Sequence, residues 1–162
     1  DGNAASHGTP MRRLIESGAV LGRNFVQVGL RGYWPPAHVF DWMQEQGMRW
    51  HLMQEVWERG APAVMADAVA EAMEGCDALY LSVDIDVLDP GFAPGTGTPE
   101  PGGMAPADLL RAVRKLALET NLVGMDIVEV SPPYDHAQQT VNNAHRVVME
   151  FLAGLAVRRR DG

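Results

Sequence analysis

Apolar and β-favouring residues cluster in four short segments, 24–30, 49–53, 78–85 and 121–130, and the stretches between them carry helical periodicity. Pro10–Ser17 predicts a short helix stopped by Gly18, with Thr9 as its N-cap. Pro36–Gln46 predicts a second, stopped at Gly47. Ala63–Glu74 repeats apolar positions at Val64, Ala68, Ala72 and at Met65, Val69, Met73 before Gly75. Pro106–Thr120 places Leu109, Leu110, Val113, Leu116 and Ala117 on one face. Gln138–Val157 is the longest predicted helix, with Val141, Ala144, Val148, Phe151, Leu152 and Leu155 as its stripe. Strands alternating with helices of this length imply βαβ units, a mostly parallel sheet and an α/β class. The run Ala78–Val83 is nearly all apolar and predicts a central strand buried on both faces.

In such sheets ligands collect beyond the carboxyl ends of the strands. Asp84 and Asp86 end the third predicted strand, and Asp126 and Glu129 stand toward the end of the fourth. In an extended strand residues two apart share a face, so Asp84 and Asp86 are expected to project together. Paired carboxylates resist ionisation unless a cation joins them, and oxygen ligands select Mg²⁺, Mn²⁺ or Ca²⁺. Taken alone, the pair reads equally well as one turn-capping and one solvated aspartate. The segment that follows, DPGFAPGTGTPEPGG (89–103), shifts that balance, because its prolines and glycines suit neither strand nor helix and long ordered loops are usually functional.

Composition excludes several classes. The chain has 162 residues, 46% hydrophobic and 21% charged, enough for one α/β domain spanning 1–162. A net charge of −8 argues against a nucleic-acid surface; the Arg158–Arg160 run reads as a solvated turn at a helix end. Cys76 is the single cysteine, which fits a reducing, cytoplasmic compartment. No apolar run approaches the roughly 18 residues of a membrane span. No Gly-x-Gly-x-x-Gly or phosphate-loop lysine follows a predicted strand, which disfavours a nucleotide-binding domain.

The run SVDIDVLDPGFAPGTGTPEPGG (82–103) resembles the signature of the ureohydrolases, the family of arginase and agmatinase. Ser6-His7-Gly8-Thr9-Pro10-Met11 is similar to the family's His-Gly motif, and Gly124–Asp135 to its final strand and loop. The His-Gly-Thr-Pro and Ser-Pro-Pro-Tyr-Asp forms look closer to agmatinase than to arginase. The resemblance, which runs from about Ser6 to the end, implies the carboxy-terminal half of a three-layer αβα enzyme. It implies two Mn²⁺ per site, hydrolysis of agmatine to putrescine and urea within polyamine biosynthesis, and a homo-oligomer (trimer or hexamer). By motif match Asp84 would bridge both metals and Asp86 would bind one. Glu129 would hold the guanidinium with Thr98 beside it, and His7 would shuttle protons.

Physical chemistry suits those roles: a carboxylate fork matches a guanidinium edge, and imidazole cycles near neutral pH. Separately, His7 also reads as a solvated loop histidine and Glu129 as a strand-end ion-pair partner. Guanidinobutyrate and guanidinopropionate are the alternative substrates; their carboxylate would call for a cation, and Arg31 is the local candidate. A non-catalytic homologue kept for assembly is the other class, disfavoured by the converging acids. The family's Gly-Gly-Asp-His and Asp-x-His-x-Asp metal motifs do not occur here, so these residues alone are expected to lack a working metal pair. His38, His51, His136 and His145 read as surface or core-edge residues, Asp126 as a support for the site or a structural residue, and Tyr33-Trp34 as a substrate entrance or simple packing.

Overall fold

A computed structural model describes residues 5–33 and 35–161, so Asp1, Trp34 and Gly162 lie outside the described residues. The order is α1 (Pro10–Glu16), β1 (Val26–Leu30), α2 (Ala37–Glu45), β2 (Arg49–Leu52), α3 (Met53–Arg59), α4 (Ala61–Ala72), β3 (Leu79–Asp84), α5 (Pro106–Glu119), β4 (Leu122–Val128) and α6 (Gln139–Asp161). Both strand pairings are parallel, β1 with β2 and β3 with β4, as crossover helices require. Among the described residues the two pairs form separate ladders.

The main core lies between β3, β4 and helices α3 to α6, with Met53, Val64, Ile85, Leu88, Val113, Leu122 and Val147 fully buried. A smaller cluster of Ile15, Met43 and Met48, flanked by Phe40 and Trp50, supports the β1–β2 end.

Five details depart from the sequence-based reading. The second strand stops at Leu52 and a further helix, α3, follows; Gly60 at φ 82° separates it from α4. That positive φ admits glycine readily, which is why two helices meet there without a longer loop. Thr9 stands at the start of α1, yet its hydroxyl bonds the amide and carbonyl of Ser6 and makes no cap bond to the helix.

In α6 the predicted Ala144 and Phe151 are buried and Leu155 packs against the core, but Thr140, Val147, Glu150 and Gly154 are buried with them and Leu152 is exposed. The buried face is wider than the predicted stripe on the side where Gly154 is pressed onto α5, where an added Cβ would come within 2.5 Å of the Ala117 side chain. The same helix runs beyond Val157, and Arg158, expected to be solvated, donates to the carbonyls of Thr120 and Leu122.

Strand β3 is not buried on both faces. Tyr80 and Ser82 are exposed and only Val83 is fully enclosed. Tyr80, Ser82 and Asp84 share one face with their β4 partners Gly124, Asp126 and Val128, whereas Val83 and Ile127 face the helical core.

Candidate active site

The site is built where β3 and β4 end side by side. Asp84 is the last residue of β3, and the chain turns at once into a single 3-10 turn, Ile85–Val87. Ile85 is completely buried and anchors that turn in the core. Asp86 therefore lies in a turn and not in an extended strand, so period-two alternation is not what pairs it with Asp84. The tight turn does so, by bringing the Asp86 amide to donate to Asp84 Oδ1 at 3.2 Å. Asp84 remains in reach of solvent, but neighbouring protein removes enough of its water to raise its pKa. Burial first, then the adjacent Asp86 charge, with a smaller contribution from Glu129, push the Asp84 carboxyl up to about 7.

The long loop after the turn is closed at its base. Leu88 and Met104 form a bridge, with the Met104 amide donating to Val87 O at 2.8 Å and the Asp89 amide to Met104 O at 3.1 Å. The Asp89 carboxylate accepts from the amides of Gly91 (2.9 Å), Gly102 (2.8 Å) and Gly103 (3.2 Å), which hold its pKa below the usual carboxylate range. At Gly103 a Cβ would approach the Asp89 amide nitrogen to 2.3 Å, so only glycine permits the crossing. At the far end, the Gly95 amide donates to the buried Thr140 hydroxyl at 2.7 Å, and Asp135 caps α6 by accepting from the amides of Thr140 and Val141. Thr98 then stands where its hydroxyl donates to Asp86 Oδ2 at 2.8 Å.

Glu129 follows β4 with φ 62°, a left-handed conformation uncommon for a non-glycine residue. Such strain persists only where the surroundings over-determine it, and it concentrates at functional sites. Gly97 lies so close that a Cβ there would sit 3.3 Å from Glu129 Oε2. On its other side Glu129 Oε1 pairs with His7 Nδ1 at 3.2 Å; His7 is largely exposed and Glu129 is 23% exposed. The loop glycines thus draw two groups together: Asp84, Asp86 and Thr98, and Glu129 with His7.

Not every candidate joins them. Asp126 accepts from Tyr80 at 3.0 Å and Ser82 at 2.7 Å, which ties the open face of β3 to β4. His51 is buried at the end of β2, with Nδ1 2.9 Å from Glu55 and Nε2 3.2 Å from Glu71. Tyr33 is fully exposed and its partner Trp34 lies outside the described residues. Arg31, the candidate for a substrate carboxylate, spends Nε and Nη2 on backbone carbonyls of Asp86, Leu88, Glu100 and Pro101. Two of its nitrogens are thus already engaged: a charge is visible in a sequence, but the carbonyls that meet it are not. Asp89 and Asp135, which the motif reading left without individual roles, organise the loop; Asp-x-Gly turn chemistry and a helix-start aspartate were the available signals.

The carboxylates of Asp84 and Asp86 fit a divalent cation: both are hard oxygen donors, and one resists ionisation beside the other. They supply part of a coordination shell, since among the described residues no group of three or more His, Cys, Asp or Glu side chains is arranged to hold an ion.

Comparison with known proteins is consistent along the chain. The profile of the Arginase family matches residues 1–154. Guanidinopropionase of Pseudomonas aeruginosa is 44% identical over 156 residues, covering 95% of this chain and 48% of that protein. Formimidoylglutamase of Halalkalibacterium halodurans is 35% identical over 152 residues, covering 94% and 48%. The crystal structure of formimidoylglutamase from Bacillus subtilis superposes with a TM-score of 0.89 at 31% identity, covering 93% of this chain and 47% of that one. The arrangement of helices about parallel strands is thus the three-layer αβα architecture expected from the sequence. The chain spans about half the length of the curated relatives it matches.

Proposed function

Because this chain belongs to the arginase family, we propose that the complete protein hydrolyses a small guanidino compound to urea and an amine. The observation that carries this is the convergence of Asp84, Asp86 and Thr98 with Glu129 and His7 beyond the ends of two adjacent parallel strands. Asp84 and Asp86 would hold part of a manganese pair, whose remaining ligands are not among the described residues. Such a pair, when bound, supplies a water activated for attack at neutral pH.

The protein's own groups account for the rest. Glu129 is the substrate anchor: two parallel N–H donors on a guanidinium edge match its carboxylate, which lies against Gly97 and His7. Thr98, next in the chain to Gly97, keeps Asp86 oriented through the bond it donates. As oxygen bonds to the guanidino carbon, the carbon–nitrogen bond breaks and its electron pair goes to nitrogen. His7, open to solvent and already beside Glu129, delivers the proton that makes this nitrogen a leaving amine.

Agmatine is the substrate we place first, on the motif forms around His7 and Ser131–Asp135. Arg31 is already engaged through Nε and Nη2 by the loop, which makes it a poorer partner for a substrate carboxylate. Guanidinopropionate or guanidinobutyrate is the second reading, favoured by the 44% identity to guanidinopropionase. Urea release from the three compounds by the Mn²⁺-loaded complete protein separates them. Turnover of agmatine alone supports the first reading, turnover of the guanidino acids the second, and no urea from any of them ends the proposal.

A further inference from the structure

We propose that Arg31 is a positioning residue that clamps the loop carrying Asp86 and Thr98, and so sets the geometry of the metal-facing carboxylate without touching substrate. This rests on the ureohydrolase reading above. Arg31 follows β1, outside the β3–β4 pair, and its guanidinium reaches across to both ends of the loop. Nη2 donates to Asp86 O at 2.7 Å and to Leu88 O at 3.3 Å, on the entering strand of the loop. The same nitrogen donates to Glu100 O at 2.6 Å, and Nε to Glu100 O at 3.0 Å and Pro101 O at 3.2 Å, on the departing strand. One planar cation thus fixes four backbone carbonyls that bracket Thr98.

The neighbouring backbone is shaped for this approach. Gly32 has φ 78°, and a Cβ there would meet Glu100 Cδ at 2.9 Å, so β1 exits directly against the loop. With the Asp86 and Glu100 carbonyls held to one group, the intervening chain keeps the Thr98 hydroxyl on Asp86 Oδ2. The guanidinium also lies near enough to Asp89 to help hold that carboxyl below its usual range, after the amides of Gly91, Gly102 and Gly103. Lysine cannot replace it, because an ammonium offers three tetrahedral donors where this site uses the planar fork.

A substrate-binding arginine and a clamping one predict different failures. The complete protein is prepared as wild type, Arg31→Lys and Arg31→Met. In both variants, amides at 97–103 are expected to exchange at least tenfold faster while the melting temperature stays within a few degrees of wild type. Mn²⁺ affinity, read by titration with the metal alone, is expected to weaken by about 10- to 100-fold, the scale seen for groups that orient metal ligands. kcat should fall by a similar factor for agmatine and guanidinopropionate alike.

A rise in KM confined to the carboxylated substrate, with unchanged loop exchange, would overturn the proposal. So would unchanged Mn²⁺ affinity in variants whose loop exchange has increased. If the variants do not fold, the wild type still decides it: the Arg31 Nε proton must exchange slowly with solvent, and a fast-exchanging one rules out the clamp. The exchange readings need no turnover, so a protein without urea-forming activity would sink the functional reading and leave the loop clamp separately measurable.

Discussion

Two regions of this molecule gather acidic side chains at the carboxyl end of a parallel strand, and they handle the charge in opposite ways. At the end of β2, His51 sits between Glu55 and Glu71, and Arg59 pairs with both Glu55 and Asp67. The His51 bond is the first cause that lowers the Glu55 pKa, and the Arg59 bond does the same for Asp67. At the end of β3, burial and the neighbouring Asp86 charge push Asp84 up to about 7. The first network closes on itself and binds β2 to α3 and α4. The second has no cationic partner for Asp84, which stands beside another carboxylate. Acids whose partners already balance them serve the fold, whereas acids held together in spite of their repulsion mark a site that expects a cation. Acid count alone would not separate the two regions.

The contrast breaks most visibly at Asp84. Asp84→Asn in the complete protein should reduce Mn²⁺-dependent urea release by on the order of 10³-fold, since an amide is a poor ligand for a hard cation. The same change removes a repelled carboxylate, so the chelator-treated protein should melt no lower than wild type. Retained activity would refute the metal assignment. A large drop in melting temperature would show that Asp84 serves the fold after all.

His51→Leu should do the reverse. Loss of a buried, charge-assisted pair of hydrogen bonds is expected to cost about 2 kcal/mol in urea unfolding, and to leave Glu55 and Glu71 facing each other unbridged. Because none of the bonds in this network reaches Glu129 or residues 89–103, kcat should stay within a factor of two. An unchanged unfolding midpoint would mean that the β2 network contributes nothing to stability.

The site's dependence on backbone strain offers a smaller effect. Glu129→Gly should stabilise the protein by about 1 kcal/mol, because glycine adopts the left-handed conformation without penalty. It should also abolish substrate binding. Calorimetry of wild type and variant checks the first outcome, and a destabilised glycine variant would show that the Glu129 side-chain contacts outweigh its strained backbone.

Much of this was legible in the chain. The four strands, the helices on either side and the Asp84–Asp86 motif with its Pro–Gly loop follow from apolar periodicity and turn chemistry, each of which is local. Helix α3 was hidden because Met53, completely buried, extends the apolar run of β2 and masks the change of period. The open face of β3 was misjudged because Tyr80 reads as apolar, whereas its hydroxyl and that of Ser82 turn outward to Asp126. Arg31 and Glu129 show the deeper limit. What decides their roles is which carbonyls lie near one and which φ the other adopts, and both are fixed by residues many tens of positions away.

The finest test compares how each region responds to pH in protein freed of metal. Asp84 has its folded-state pKa raised from 3.8 to about 7. Its contribution to stability is therefore full below pH 3.8, where folded and unfolded forms are both protonated, and is lost as pH climbs through 7. Glu55 and Asp67 are lowered from 4.5 and 3.8, so their contribution is present above those values and disappears as pH falls beneath them. Between about pH 4 and pH 7, amide protection at residues 82–88, corrected for intrinsic exchange, should decline in wild type and stay level in Asp84→Asn. Over the same interval protection in α3 should hold constant, and it should drop only below about pH 4. Matching pH profiles for the two segments would mean that the repulsion at β3 is relaxed by movement or water, and that the charge distinction between the two regions does not reach the stability of the chain.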